Sequence, residues 1–275
     1  LNLWEIFVAV VLGIVEGLTE FAPVSSTGHM IIFDDLLFQS KELYGQQVAN
    51  TFKIVIQLGS ILAVVIIFRE RFLSLLGLKK ETTKEKQTKL KLSQVFVGLL
   101  PAGIFGLMFE DYIDEHLFSI NTVLIGLVVG AFLMIAADFV QKKRTVTTET
   151  VDKITYKQAL MVGLIQCLSL WPGFSRSGST ISGGVMLGMN HRTASDFTFI
   201  MAVPIMAGAS GLSLLKNWEY FTLDALPFFI AGFISAFVVA LISIKFFLAL
   251  INKVKLVPFA IYRIVLAAVI YFVFL

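Results

Sequence analysis

An all-α integral membrane protein is the fold class this sequence predicts, and three observations predict it. Hydrophobic residues make up 57% of the chain and charged residues 15%, with mean hydropathy +0.86, against about 45–50% apolar in ordinary soluble domains. The apolar stretches are long, Phe-rich and nearly charge-free, whereas outer-membrane strands would alternate over about 10 residues. Basic residues collect in particular loops and the net charge is only +3, which suits membrane orientation and argues against a nucleic-acid partner. The single cysteine, Cys167, excludes an intramolecular disulfide and a Cys-rich metal site.

Taken in order, Leu3 to Leu18 is apolar but ends in Glu16, Glu20 and Pro23, and Gly28 to Phe38 is a second short piece interrupted by Asp34 and Asp35. Neither half spans a bilayer comfortably. Two half-length pieces around Pro23-Val24-Ser25-Ser26-Thr27-Gly28 predict a re-entrant helical hairpin, since irregular backbone at membrane depth must line protein or a cavity. With no basic start and no small-residue cleavage site, the first stretch is read as part of the mature fold. Gln39 to Asn50 is polar and is expected to be a surface connection. Thr51 to Phe68 is the first full span, followed by a basic loop with Arg69, Arg71, Lys79, Lys80, Lys84, Lys86, Lys89 and Lys91, placed inside by the positive-inside tendency. Gln94 to Phe109 crosses back to Glu110, Asp111, Asp114 and Glu115 outside, and Asn121 to Ala137 returns to Lys142, Lys143, Arg144, Lys153 and Lys157.

The second half repeats the plan. Ala159 to Trp171, the turn Pro172 to Thr180 and a short run to Met189 form a second hairpin. Three spans follow, Phe197 to Leu215, Pro227 to Ile251 and Pro258 to Leu275. The total is about six transmembrane helices plus two re-entrant hairpins in one membrane domain, residues 1–275. At one constant offset Gly13 falls on Gly163, Glu16 on Gln166, Ser25 on Ser175, Ser26 on Arg176, Thr27 on Ser177 and Gly28 on Gly178. Each half, about 1–140 and about 156–275, is a hairpin plus three spans. The odd span count forces opposite orientations, an inverted-topology repeat with its site at the repeat interface.

A carboxylate near the bilayer centre costs about 2.5–3.5 kcal/mol on insertion scales, so Glu16 and Glu20 are expected to face a cavity and have a task. Four residues apart, they point the same way on a helix and could bind a hard cation or act as acid and base. Ser25, Ser26 and Thr27 at a helix start make an anion cradle, and Ser175, Arg176, Ser177 and Gly178 add a guanidinium that can hold phosphate or carboxylate oxygens. Arg176 could equally be a counter-ion for Glu16 or Glu20. If the ligand is a phosphate ester, the carboxylates repel it unless a divalent cation such as Mg2+ intervenes. The nucleophile is left open among Ser26, His29 and water, with His29 or Glu20 as base. His116 and His191 are expected to be solvated, Lys53 and Lys245 to snorkel, and Gln57 and Arg263 are weaker site candidates.

Glu16-Gly17-Leu18-Thr19-Glu20-Phe21, Pro23-Val24-Ser25-Ser26-Thr27-Gly28-His29 and Pro172-Gly173-Phe174-Ser175-Arg176-Ser177-Gly178 closely resemble the two signature motifs of the undecaprenyl pyrophosphate phosphatases of the bacitracin-resistance type. The resemblance runs over the whole chain, including Gln57-Leu58-Gly59-Ser60 and the ending Pro258 to Arg263. It implies a bacterial plasma-membrane hydrolase that removes the terminal phosphate of a C55 polyprenyl diphosphate, recycling the lipid carrier for peptidoglycan synthesis. It also implies dependence on a divalent metal, Mg2+ or Ca2+, at Glu16 and Glu20. Ser26 or His29 is then the candidate nucleophile, and Ser25, Thr27, Ser175, Ser177 and Gly178 line the phosphate site. Arg176 binds the diphosphate. Expected partners are the polyprenyl diphosphate, membrane lipids and, if the chain self-associates, a second copy in a homodimer. The placement of the first hairpin favours a site facing the outer side. A secondary transporter or lipid flippase is the alternative, because broken helices and inverted repeats serve transport equally well. A scaffold with purely structural turns is the third class.

Overall fold

The computed structural model describes residues 2–79, 89–117, 119–220 and 222–274, with Glu110, Asp114 and Phe274 described by backbone alone. Lys80, Lys84 and Lys86, and the side chains of Glu110 and Asp114, lie outside the described residues. The described chain is helical throughout: α1 (Leu3–Thr19), α2 (Ser26–Met30) with a wider π-type continuation Ile31–Phe38, α3 (Ser40–Tyr44), α4 (Gln46–Ile67), α5 (Arg69–Leu75), α6 (Leu92–His116), α7 (Ile120–Lys142), α8 (Tyr156–Gln166), α9 (Arg176–Met186), α10 (His191–Lys216), α11 (Leu226–Val254) and α12 (Val257–Phe274). Five of these helices, α4, α6, α7, α10 and α11, are long and apolar enough to cross a membrane, and α12 is apolar but shorter. The chain is therefore an all-α integral membrane protein.

Boundaries differ from the sequence reading where local chemistry overrides hydropathy. Gln39 to Asn50 is not an open connection, because α3 packs on α4 and α4 already starts at Gln46. At the other margin, α6 continues through the acidic residues to His116.

Both interrupted stretches turn back on themselves. The first hairpin is closed at its base by aromatic packing, Phe38 lying edge-on to Trp4 and Phe7 with ring centroids 6.0 and 6.1 Å apart. Lys53 does not simply snorkel. Its ammonium pairs with Asp34 at 2.8 Å and Asp35 at 2.9 Å, tying the returning arm of this hairpin to α4. The second hairpin is pinned to α7 by the Trp171 indole, which donates to the Thr122 carbonyl at 2.9 Å.

Helix pairing has a regular form. Helix α1 packs on α11 as α8 packs on α6, and α4 packs on α10 as α7 packs on α12. Gly13 makes the first pairing close, since a Cβ there would stand 2.4 Å from the Gly232 carbonyl oxygen of α11. Its counterpart Gly163 does the same for the second, at 2.3 Å from the Gly98 carbonyl oxygen of α6. Small residues of this kind let helix backbones approach in a bilayer.

His191 departs from expectation. Although flanked by Asn190 and Arg192, it is buried, and its Nε2 lies 2.6 Å from Asp138 Oδ1. Asp138 Oδ2 also accepts the backbone N–H groups of Leu256 and Val257 at 2.9 and 3.0 Å. The carboxylate thus satisfies orphan donors at the start of α12, where negative charge is favoured. His116, at the end of α6 rather than in a loop, is exposed as expected and stacks on Tyr112.

Candidate active site

The two hairpin turns meet and carry the same local conformation. Ser25 and Ser175 each precede a short helix with φ of 69° and 73°, and each side chain accepts from the N–H three residues on, Gly28 at 3.5 Å and Gly178 at 3.1 Å. A left-handed φ at a residue with a side chain costs about 1–3 kcal/mol, so the surrounding structure must enforce it. In both turns the serine side chain caps the helix that follows.

Between the turns lies a cavity of about 290 Å³, lined by Glu20, Ser25, Ser26 and Thr27 from the first hairpin and Gln166, Ser169, Ser175 and Arg176 from the second. Gln57 of α4 and Ala102, Ile205 and Met206 of α6 and α10 complete the wall. Glu20 is the centre of its polar network. Its Oε2 accepts from the Ser26 hydroxyl at 2.7 Å, and its Oε1 accepts from Arg176 Nη2 of the second hairpin at 3.1 Å. Both side chains of this ion pair are largely buried, where Coulomb attraction is least screened. Arg176 also lies over the Phe21 ring, 5.9 Å from its centroid, and its Nη1 is buried without a partner among the described residues. Ser177 donates to the Ala22 carbonyl at 3.1 Å, a second bond from the second turn to the first.

Of the residues singled out in the sequence, Glu20, Ser25, Ser26, Thr27, Ser175 and Arg176 line the cavity together. Ser177 and Gly178 lie behind them, with roles inside the turn. Glu16 is buried one helical turn from Glu20, within electrostatic reach of Glu20 and Arg176, with Oε1 unpartnered among the described residues. His29 is not brought to the cavity wall. Its Nδ1 lies 2.8 Å from the Ser25 carbonyl oxygen and its Nε2 2.7 Å from the Tyr262 hydroxyl, with the two rings stacked at 5.6 Å. The imidazole borders a separate apolar groove with Leu18, Val254 and Phe259. Both nitrogens are in use, because the helix that starts at Ser26 turns this side chain toward α12 rather than toward Ser26.

Sequence reasoning undervalued two residues. Gln57 lines the cavity and accepts from Ser210 at 3.1 Å. Arg263 is wholly buried and lies outside the cavity wall. Its Nη2 donates to the carbonyls of Gly126, Gly173 and Phe174 at 3.2, 3.0 and 2.9 Å, fixing the Pro172-Gly173-Phe174 turn against α7. Besides its place in the ending Pro258 to Arg263, the sequence signal was an arginine inside an apolar span, a costly placement that implies a task.

A divalent cation fits this donor set in one way. Among the described residues no cluster of three or more His, Cys, Asp or Glu side chains could hold a metal by itself. The buried orphan oxygen of Glu16 and the carboxylate of Glu20 offer hard oxygen donors. One or two carboxylates completed by substrate oxygens and water is the usual pattern for Mg2+.

The cavity continues into an apolar groove of about 440 Å³ between α6 and α10, sharing Ala102, Leu170, Ile205 and Ala209 with it and reaching Lys216. Fold and cavity together define the class: a polytopic α-helical membrane protein with a polar chamber between two broken helices and an apolar way out. The family model described as "Bacitracin resistance protein BacA" matches residues 9–269, and the chain belongs to that family. It is 70% identical over 274 residues to the undecaprenyl-diphosphatase of Geobacillus sp. (strain WCH70), covering all of both chains. It is 65% identical over 271 residues to that of Bacillus subtilis (strain 168), covering 98% of each.

Proposed function

We propose that this chain is a membrane phosphatase that hydrolyses undecaprenyl diphosphate to undecaprenyl phosphate and inorganic phosphate, returning the lipid carrier to envelope polymer synthesis and conferring bacitracin resistance. Family membership and end-to-end similarity to undecaprenyl-diphosphatases support the substrate and the reaction. The observation that carries the chemistry is the Ser26 hydroxyl resting on the Glu20 carboxylate while Arg176 reaches the same carboxylate from the other repeat.

A hydroxyl hydrogen-bonded to a carboxylate is an activated nucleophile, and a neighbouring guanidinium stabilises phosphoryl charge. Ser26 Oγ attacks the terminal phosphorus and its proton passes to Glu20. The bond from that phosphorus to the bridging oxygen breaks, and the lipid monophosphate leaves with that oxygen. Water then attacks the phosphoserine, Glu20 returns its proton to Ser26 Oγ, and the water's oxygen and protons leave with inorganic phosphate. Arg176, with Nη1 free for a phosphate oxygen, offsets charge throughout. Glu16 and Glu20 would hold Mg2+ or Ca2+, which when bound supplies the neutralisation that one arginine cannot. His29 orients the Ser25 carbonyl at the first turn instead of attacking.

The polyprenyl chain is assigned to the groove between α6 and α10, because it is apolar and continuous with the cavity. That groove runs toward the ends of α6 and α10 remote from the basic loops, so the site faces the outer side. The two halves are inverted repeats, supported by the matched serine caps and the matched contacts of Gly13 and Gly163.

The test is phosphate release from a polyprenyl diphosphate by the purified chain in detergent, with Mg2+ or Ca2+ and then with EDTA. Release that stops on chelation and returns on adding metal is expected. Release unaffected by EDTA would remove the metal. No release from folded protein under any condition would leave transport as the reading, to be followed by lipid flipping in liposomes.

A further inference from the structure

Gln166 is a polar side chain of the cavity wall that takes no part in the chemistry above. It ends α8, is 1% exposed, and lines the chamber with both Nε2 and Oε1 unpartnered among the described residues. Several other polar groups of the wall are engaged: Glu20 with Ser26 and Arg176, Ser175 with Gly178, Gln57 with Ser210. A buried carboxamide that bonds to nothing is unfavourable and needs an explanation in a ligand or a water.

Its place in the repeat sharpens the question. Gln166 is the counterpart of Glu16, which also keeps a buried oxygen unpartnered, so one hairpin presents a carboxylate where the other presents a neutral donor and acceptor. Leu170, one helical turn further on, lines both the chamber and the apolar groove. Gln166 therefore stands on the arm that leads from the polar chamber to the lipid path, whereas Ser26 and Glu20 stand on the opposite hairpin.

We propose that Gln166 binds the lipid-proximal phosphate of the substrate, donating from Nε2 to a non-bridging oxygen, and that it is a substrate-binding residue shared by diphosphate and monophosphate lipids. A neutral amide is suited to this position. The proximal phosphate stays on the product, and a cation there would hold the product as its charge rises, whereas an amide grips substrate and still releases monophosphate. The inference rests on the phosphatase reading for its kinetics but not for its binding.

The test compares wild type with Gln166→Leu and the near-isosteric Gln166→Glu, using phosphate release from a polyprenyl diphosphate with inhibition by a polyprenyl monophosphate and by inorganic phosphate. Losing an interaction made equally in ground and transition states raises KM and leaves kcat alone. In Gln166→Leu, KM and the monophosphate inhibition constant are expected to rise in parallel by about tenfold or more. Inhibition by inorganic phosphate, which occupies the terminal position, stays unchanged. Gln166→Glu adds repulsion and raises both constants further, and it decides the matter if Gln166→Leu does not fold. Unchanged KM and monophosphate inhibition overturn the proposal. A fall in kcat with weakened inorganic phosphate inhibition also overturns it, by placing Gln166 at the terminal phosphate or in the scaffold. If wild type releases no phosphate, the phosphatase reading fails, and direct titration of wild type and both variants with the monophosphate lipid still decides: weaker binding by the variants supports Gln166, equal binding sinks it.

Discussion

The two hairpin turns share a backbone and differ in what holds them. Each has a serine at left-handed φ capping a helix that starts at the next residue. Adjacent residues of α12 then fasten them in different ways. Tyr262 reaches the first turn through one hydrogen bond to His29, at a half-exposed position beside an apolar groove. Arg263 reaches the second with a fully buried guanidinium on the carbonyl oxygens of Gly173 and Phe174, and bonds that of Gly126 in α7 as well. The second turn is the fixed wall that presents Arg176, and the first, which presents Glu20 and Ser26, is held by a lighter contact. One helix thus contacts both turns, which also bond directly to each other through Ser177 and Ala22 and through Arg176 and Glu20.

Substitutions that cut each fastening separately would sharpen this contrast. Arg263→Ala leaves a hole and takes the donor from the Gly173 and Phe174 carbonyls of the turn, a loss of about 3–5 kcal/mol, read as a fall in melting temperature in detergent. A melting temperature like wild type would show the second turn to be self-supporting. Arg176→Ala breaks the buried pair with Glu20 and removes the cation proposed to stabilise phosphoryl charge, and kcat of the protein that remains folded is expected to fall about 10²–10³-fold. Glu20→Gln removes the proton acceptor while keeping shape, and a loss of about 10²–10⁴-fold is expected in phosphate release. Tyr262→Phe deletes one neutral hydrogen bond worth about 1 kcal/mol and is expected to lower activity less than tenfold with the melting temperature almost unchanged. Equal effects of Tyr262→Phe and Arg263→Ala would abolish the distinction between the turns.

The legible parts of this molecule are those where sequence and physical cost coincide. Pro23, Pro172 and the serine and glycine runs beside them had to interrupt apolar stretches, so both hairpins could be placed. Carboxylates at Glu16 and Glu20 and a guanidinium at Arg176 had to face one another or a ligand, and the structure brings Glu20 and Arg176 into contact. The remainder depended on distant partners. His191 reads as solvated from its neighbours, because the burying contact is Asp138 on another helix. Arg263 is satisfied by backbone carbonyls, which no residue pattern advertises. His29 follows Ser26 so closely that the sequence suggests a shared wall, whereas the helical rotation between them sends the imidazole to Tyr262.

The most direct measurement is phosphate release from a polyprenyl diphosphate by Ser26→Ala with metal present, after its folding is matched to wild type by thermal melting. If Ser26 is the nucleophile on Glu20, the rate falls at least about 10³-fold while the lipid diphosphate still binds. A Ser26→Ala protein that releases phosphate within tenfold of the wild-type rate would contradict attack from the first turn.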